Sequence, residues 1–194
     1  METHRSNPIG IESLFSIRDK VALVTGGSRG IGLMITRGYV EAGATVYISS
    51  RTAEVCDAVA GELSAIGRCI SLPADLSTMA GVEYLCTEIS EREQKLDILV
   101  NNAGAAWGEP IETFPEKGFD KVTDLNLKSL FFLTRELLPM LEKAATPDDP
   151  ARVLNIGSID GFRVPIVPNF SYAAAKAAVH QLTRMLAVHL GGRA

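Results

Sequence analysis

Five short apolar runs punctuate the chain, each separated from the next by a longer stretch of mixed polar and apolar residues. VALVT (21–25), TVYIS (45–49), RCISL (68–72), DILV (97–100) and RVLNIG (152–157) are brief, rich in β-branched residues and mostly closed by Gly, Asn, Asp or Ser. Runs of that length and composition predict buried strands. The stretches between them predict helices near 30–42, 53–66, 78–93, 118–143 and 171–190. Val82, Leu85, Cys86 and Ile89 recur at helical spacing, as do Val122, Leu125, Leu130, Leu133 and Leu137. Pro147-Asp148-Asp149-Pro150 breaks the chain before the fifth strand. Strict alternation of strand and helix implies an α/β domain, a doubly wound parallel sheet with right-handed crossovers and both faces covered. Residues 1–18, polar and interrupted by Pro8, read as an N-terminal extension outside the core, with 19–194 a single domain.

Composition narrows the class. The 194 residues suit one domain, and 46% apolar with 22% charged residues is ordinary for a soluble globular protein. A net charge of −4 provides no domain-wide basic face, so general nucleic-acid binding is not expected. Cys56, Cys69 and Cys86 form no CxxC pair and read as reduced thiols, which points to the cytoplasm. His4, His180 and His189 lie far from them in sequence, so no metal is expected. The N-terminus lacks the pattern of a signal peptide, and no run approaches the ~18 apolar residues of a membrane span.

Candidate chemistry begins at Thr25-Gly26-Gly27-Ser28-Arg29-Gly30-Ile31-Gly32, which follows the first strand and opens the first helix. Gly26 permits a tight turn, Gly30 lets backbone approach a pyrophosphate, and Gly32 lets helix and strand pack closely. The free N–H groups and positive end of the helix then hold phosphates. Ser28, Arg29 and Ile31 belong to the same candidate site. A glycine-rich loop without a ligand is the plain alternative, but the strand–turn–helix context favours a Rossmann fold. The second strand ends Ser49-Ser50-Arg51, without the acid that would bond a ribose 2′-OH. Arg51, joined by Arg29, could grip a 2′-phosphate instead, which favours NADP (as NADPH) over NAD.

Tyr172 and Lys176 stand at i and i+4 on a predicted helix and share one face. A nearby ammonium favours a phenolate, so the pair can exchange protons with a substrate oxygen. Ser158 closes the fifth strand, at the sheet edge where ligands of open α/β folds bind, and its hydroxyl can polarise a carbonyl. Asn126 sits within a predicted helix among leucines, where a buried amide needs a partner. It could hold a water linking Lys176 to solvent. Singly, each has a bland reading: a surface Tyr–Lys pair, a serine cap, a helix kink.

Together, in this order, these residues resemble the short-chain dehydrogenase/reductases. The resemblance runs from about Lys20 to Gly192 and includes TGGSRGIG, Asp75-Leu76, Asn101-Asn102-Ala103-Gly104, Asn126, Ser158 and Tyr172-Ala173-Ala174-Ala175-Lys176. It implies that Asp75 contacts the adenine, with Leu76 beside it. It also implies that Asn102, Ala103 and Gly104 border the cofactor, and that Asn126, Ser158, Tyr172 and Lys176 form a catalytic tetrad. Tyr172 and Lys176 would also hold the nicotinamide ribose. Within the family the chain is most similar to bacterial 3-oxoacyl-thioester (ketoacyl) reductases, including the rhamnolipid-pathway type. Gluconate 5-dehydrogenase-like sugar-acid or polyol dehydrogenases share most of these features. The family pattern continues into two further strands and a substrate loop that this sequence does not contain, so a non-catalytic dinucleotide-binding or assembly module is a third reading. The resemblance also implies a homotetramer or homodimer, with the helices near 118–143 and 171–190 at one interface.

Overall fold

The computed structural model describes Gly10 and residues 14–193. Most of the expected N-terminal extension therefore lies outside the described residues, although Ile17 packs against the core. Strands β1 (Val21–Thr25), β2 (Thr45–Ser49), β3 (Arg68–Ser71), β4 (Ile98–Asn101) and β5 (Arg152–Asn155) form one sheet in the order β3-β2-β1-β4-β5. All the pairings are parallel. Helices α1 (Gly30–Glu41), α2 (Ala53–Leu63), α3 (Met79–Arg92), α4 (Glu116–Thr123), α5 (Ser129–Ala144) and α6 (Phe170–Leu190) alternate with them.

Side-chain alternation explains the two layers of core. Leu23, Tyr47 and Leu99 point to one face, where α3 and α5 supply Leu85, Ile89, Leu133 and Leu137. Ala22, Val24, Val46, Ile48, Ile98 and Val100 point to the other, against Val40, Cys56, Ala60 and Leu63. Because both faces are covered, the central strands read as continuous apolar runs. After β3 the chain crosses to the far side of β1 and adds β4 there. This reversal opens a crevice at the carboxyl ends of β1 and β4, the usual ligand position in such sheets.

The single helix expected over 118–143 is instead three pieces. Between α4 and α5 the residues Asp124–Lys128 form a π-helical turn. Asn126 lies within it, and its Nδ2 donates to Val122 O (2.8 Å) and Ala105 O (2.7 Å). Periodicity cannot reveal one inserted residue that is stabilised by a side chain reaching another loop. Such bulges recur at functional sites.

Opposite the crevice, the start of β1 is tied to β4 and to the loop before β5. Asp97 Oδ2 accepts from Val21 N (2.9 Å), and Asp97 Oδ1 accepts from Lys20 (3.2 Å) and Lys95 (3.1 Å). Lys20 also pairs with Asp149, which in turn meets Arg152. Burial pushes the Asp97 carboxyl up, but the Val21 amide and the two lysines outweigh it and hold its pKa below the ordinary carboxylate value. A carboxyl whose folded pKa is depressed adds stability above its unfolded pKa of ~3.9 and loses it as the pH falls through the folded value. Asp97→Asn should therefore cost about 1.5–3 kcal/mol at neutral pH, the range for hydrogen bonds to charged groups. It should also flatten the loss of stability below about pH 4. Urea unfolding at pH 7 and pH 3 measures both, and equal acid sensitivity in the two proteins would exclude this role for Asp97.

Candidate active site

The site begins where β1 ends. Thr25 Oγ1 donates to Val100 O and accepts from the backbone N–H groups of Asn102 and Ala103, both at 3.0 Å. Asn102 Nδ2 donates back to Thr25 O (2.9 Å) and Gly26 O (3.3 Å). The Asn-Asn-Ala-Gly segment is thereby stitched to the glycine turn. Gly26 has φ +67°, a conformation that disfavours other residues. A Cβ on Gly32 would fall onto Gly26 O and within 2.5 Å of Asn102 Nδ2, so the start of α1 can lie this close to β1 only with glycine there.

Helix α1 starts with no side-chain cap and no acid in its first turn. Its leading N–H groups and positive dipole end are thus available to an anion. A Cβ on Gly30 would meet nothing within 4 Å, because that residue borders open space. The space is a cleft of about 460 Å³, within the ~300–1,000 Å³ typical of small-molecule sites. Gly26, Ser28, Arg29, Gly30, Ile31 and Gly32 line it, together with Arg51, Leu76, Asn102, Ala103 and Gly104. The cleft also takes in Ser49, Ser50, Thr52, Val55, Ala74 and Leu125, which sequence reasoning did not single out. Ser49 carries the clearest further signal, a strand-end serine whose hydroxyl is buried without a hydrogen-bond partner. Asp75 is not among the lining residues. Its carboxylate instead closes a local turn by accepting from Ser77 N (3.1 Å) and Ser77 Oγ (2.8 Å).

The remaining candidates gather around α6 and the π-helical turn, which pack against each other. Lys176 is buried and its Nζ donates to Ile156 O (2.6 Å), two residues before Ser158. Burial lowers its pKa from the ordinary lysine value. Its Nζ lies 5.8 Å from the centre of the Tyr172 ring, so helical spacing has become proximity. Ser158 starts a short 3-10 turn, Ile159–Gly161, and its Oγ accepts from Asp160 N (3.2 Å). The Asn126 amide N–H groups are satisfied, yet its Oδ1 is buried without a hydrogen-bond partner and would sit 2.7 Å from a Cβ on Gly104. Since Gly104 lines the cleft, this acceptor stands at the wall between cleft and helix.

The family model for short chain dehydrogenases matches residues 20–193. The chain belongs to that family. It is 49% identical over 178 residues to the rhamnolipids biosynthesis 3-oxoacyl-[acyl-carrier-protein] reductase of Pseudomonas aeruginosa, covering 92% of this chain and 70% of that one. It is 35% identical over 182 residues to the 2-dehydro-3-deoxy-D-gluconate 5-dehydrogenase of Dickeya dadantii, covering 91% and 68%. Among solved structures, the Pseudomonas aeruginosa RhlG/NADP active-site complex matches with a TM-score of 0.89 at 49% identity, covering 92% of this chain and 70% of that chain. As a short-chain dehydrogenase the chain is an oxidoreductase with a single Rossmann-like domain, as its residues imply. Among the described residues no helix is long and apolar enough to cross a membrane. No group of three His, Cys, Asp or Glu residues there could hold a metal ion.

Proposed function

We propose that this chain is an NADPH-dependent carbonyl reductase that converts a 3-oxoacyl thioester to the 3-hydroxy product. The observation that carries this reading is the buried Lys176 ammonium, held on the backbone just past β5 beside Tyr172, at the edge of the sheet where the uncapped α1 start forms a phosphate cradle. The 3-oxoacyl-[acyl-carrier-protein] reductase named above adds to it at 49% identity.

The cleft suits a dinucleotide phosphate. Gly32 keeps the start of α1 hard against the end of β1, Gly30 leaves the space before it open, and the orphaned Ser49 hydroxyl offers a polar contact at the end of β2. Gly26, Ser28, Arg29, Gly30, Ile31 and Gly32 would hold the pyrophosphate, Arg51 and Arg29 the 2′-phosphate, and Leu76, Asn102, Ala103 and Gly104 the adenosine and ribose. Asp75, whose Oδ1 accepts from Ser77, would contact the adenine. When bound, the nicotinamide supplies a hydride. Ser158 donates a hydrogen bond to the substrate carbonyl oxygen and orients it. Tyr172 gives its phenolic proton to that oxygen as negative charge develops there. Lys176 favours the phenolate left behind, and Asn126 Oδ1 accepts from a water through which Tyr172 regains its proton.

Substrate polarity separates a thioester from a sugar acid. The segment joining Ser158 to Tyr172 exposes Phe162, Val164, Ile166 and Val167. Such a surface suits an acyl chain and offers a polyol little to bond. Phe131 on α5 and Met185 and Val188 on α6 are also exposed and apolar, which fits a homodimer or homotetramer built on these helices.

Fluorescence titration with NADPH and NADH tests the cofactor assignment. Arg51→Asp removes a charge-assisted partner of the 2′-phosphate, an interaction of about 1.5–3 kcal/mol. The NADPH-to-NADH affinity ratio should therefore fall about 10- to 100-fold. An unchanged ratio would remove Arg51 from the phosphate site. Turnover of a 3-oxoacyl thioester set against 5-ketogluconate then separates the two substrate classes.

A further inference from the structure

We propose that His180 is a positioning residue for Ser158, acting on the backbone at both ends of the turn that carries it. This rests on the reading of Ser158 as the group that binds the carbonyl. His180 follows Lys176 by four residues and Tyr172 by eight, so all three fall on one side of α6. Its imidazole stacks on the Phe162 ring with centroids 3.9 Å apart and planes 25° apart. The same ring lies against Gly157, where a Cβ would strike Nε2 and come within 2.9 Å of Cδ2. Gly157 immediately precedes Ser158, and Phe162 ends the 3-10 turn that follows it. Gly161 in that turn rests directly on α6, where a Cβ would come within 2.8 Å of the Lys176 carbonyl carbon.

The imidazole is thus a spacer between the catalytic helix and the Ser158 turn. Its Nδ1 is buried without a hydrogen-bond partner, so packing holds the ring in place. Packing also fixes the distance between α6, which carries Tyr172 and Lys176, and the turn that displays Ser158. Both groups must meet one carbonyl oxygen, so a small change in this distance acts on the chemical step and leaves the cofactor cleft unaltered.

The test uses the full-length enzyme, with steady-state reduction of a 3-oxoacyl thioester and NADPH titration on Ser158→Ala, His180→Ala, Gly157→Ala and the double variant Gly157→Ala/His180→Ala. His180→Ala should lower kcat about 10- to 100-fold, the effect of a roughly 1 Å misplacement, with the KM and affinity for NADPH unchanged. Retained NADPH binding reports a folded cleft. Gly157→Ala should impair turnover by driving its methyl into the imidazole. Removing that imidazole makes room, so the double variant should exceed Gly157→Ala alone, a non-additivity expected only of groups in contact. In 15N-serine-labelled protein the Ser158 amide resonance, assigned with Ser158→Ala, should move in His180→Ala. Full turnover in His180→Ala beside an impaired Ser158→Ala overturns the proposal alone. Full turnover in Ser158→Ala overturns the reading of Ser158 and the proposal with it. An unmoved Ser158 resonance, or additive losses in the double variant, also overturns the proposal.

Discussion

Tyr172→Phe should abolish most turnover while leaving NADPH binding nearly intact. The substitution keeps the ring beside Lys176 Nζ, 5.8 Å from its centre, and deletes only the hydroxyl. A positioned general acid contributes typically ~10²–10⁴-fold. Loss of kcat should therefore fall in that range, with the cofactor cleft unchanged because its walls come from the carboxyl ends of β1, β2 and β4 and do not include Tyr172. Lys176 keeps its bond to Ile156 O, so the helix has no reason to shift. Pre-steady-state reduction under saturating NADPH gives the chemical step directly. Near-normal rates would exclude Tyr172 as the proton donor and direct attention to another hydroxyl near Ser158.

Gly32→Ala should cripple nucleotide binding and also lower stability. The added methyl meets backbone, namely Gly26 O, as well as the Asn102 amide that ties the turn to β4. Gly26 O is backbone, and the Asn102 amide is held by its bonds to Thr25 O and Gly26 O. Relief requires α1 to withdraw from β1, which pulls the leading helix N–H groups off the phosphate position. Overpacking of this kind costs about 1–3 kcal/mol, and occasionally more. If the full upper figure falls on binding, affinity drops about 100-fold. Thermal unfolding with and without NADPH separates the two effects, since ligand stabilisation disappears when binding does. Gly30→Ala is the contrast: its Cβ meets nothing in the free protein, so only φ of +54° opposes it. Equal NADPH affinity in Gly32→Ala and the unsubstituted protein would show that the close approach of helix and strand is dispensable.

Much of this could be read along the chain because the signals were local. Five β-branched runs became five strands, with boundaries shifted by a residue or two, since a buried parallel strand must be apolar on both faces. The glycine turn announced its own place between β1 and α1, as its chemistry depends on neighbours within eight residues. Other features were illegible for an equally physical reason. Asn126 meets Ala105 across 21 residues, and Lys176 meets Ile156 across 20. Asp75 could serve a ligand or a local turn, and composition does not favour one over the other. In the structure it is hydrogen-bonded to Ser77.

The sequence by itself determined the class of fold, the position of the phosphate-binding turn and the order of candidate groups along the chain, because periodicity, β-branching and glycine act over a few residues. Only the tertiary structure decided the strand order, the π-helical turn that aims Asn126 at the cleft wall, the burial of Lys176 on the backbone just past β5, and the imidazole wedged between α6 and the Ser158 turn. These depend on which distant segments come to share a wall, and that is settled when two apolar faces of one sheet are packed at the same time.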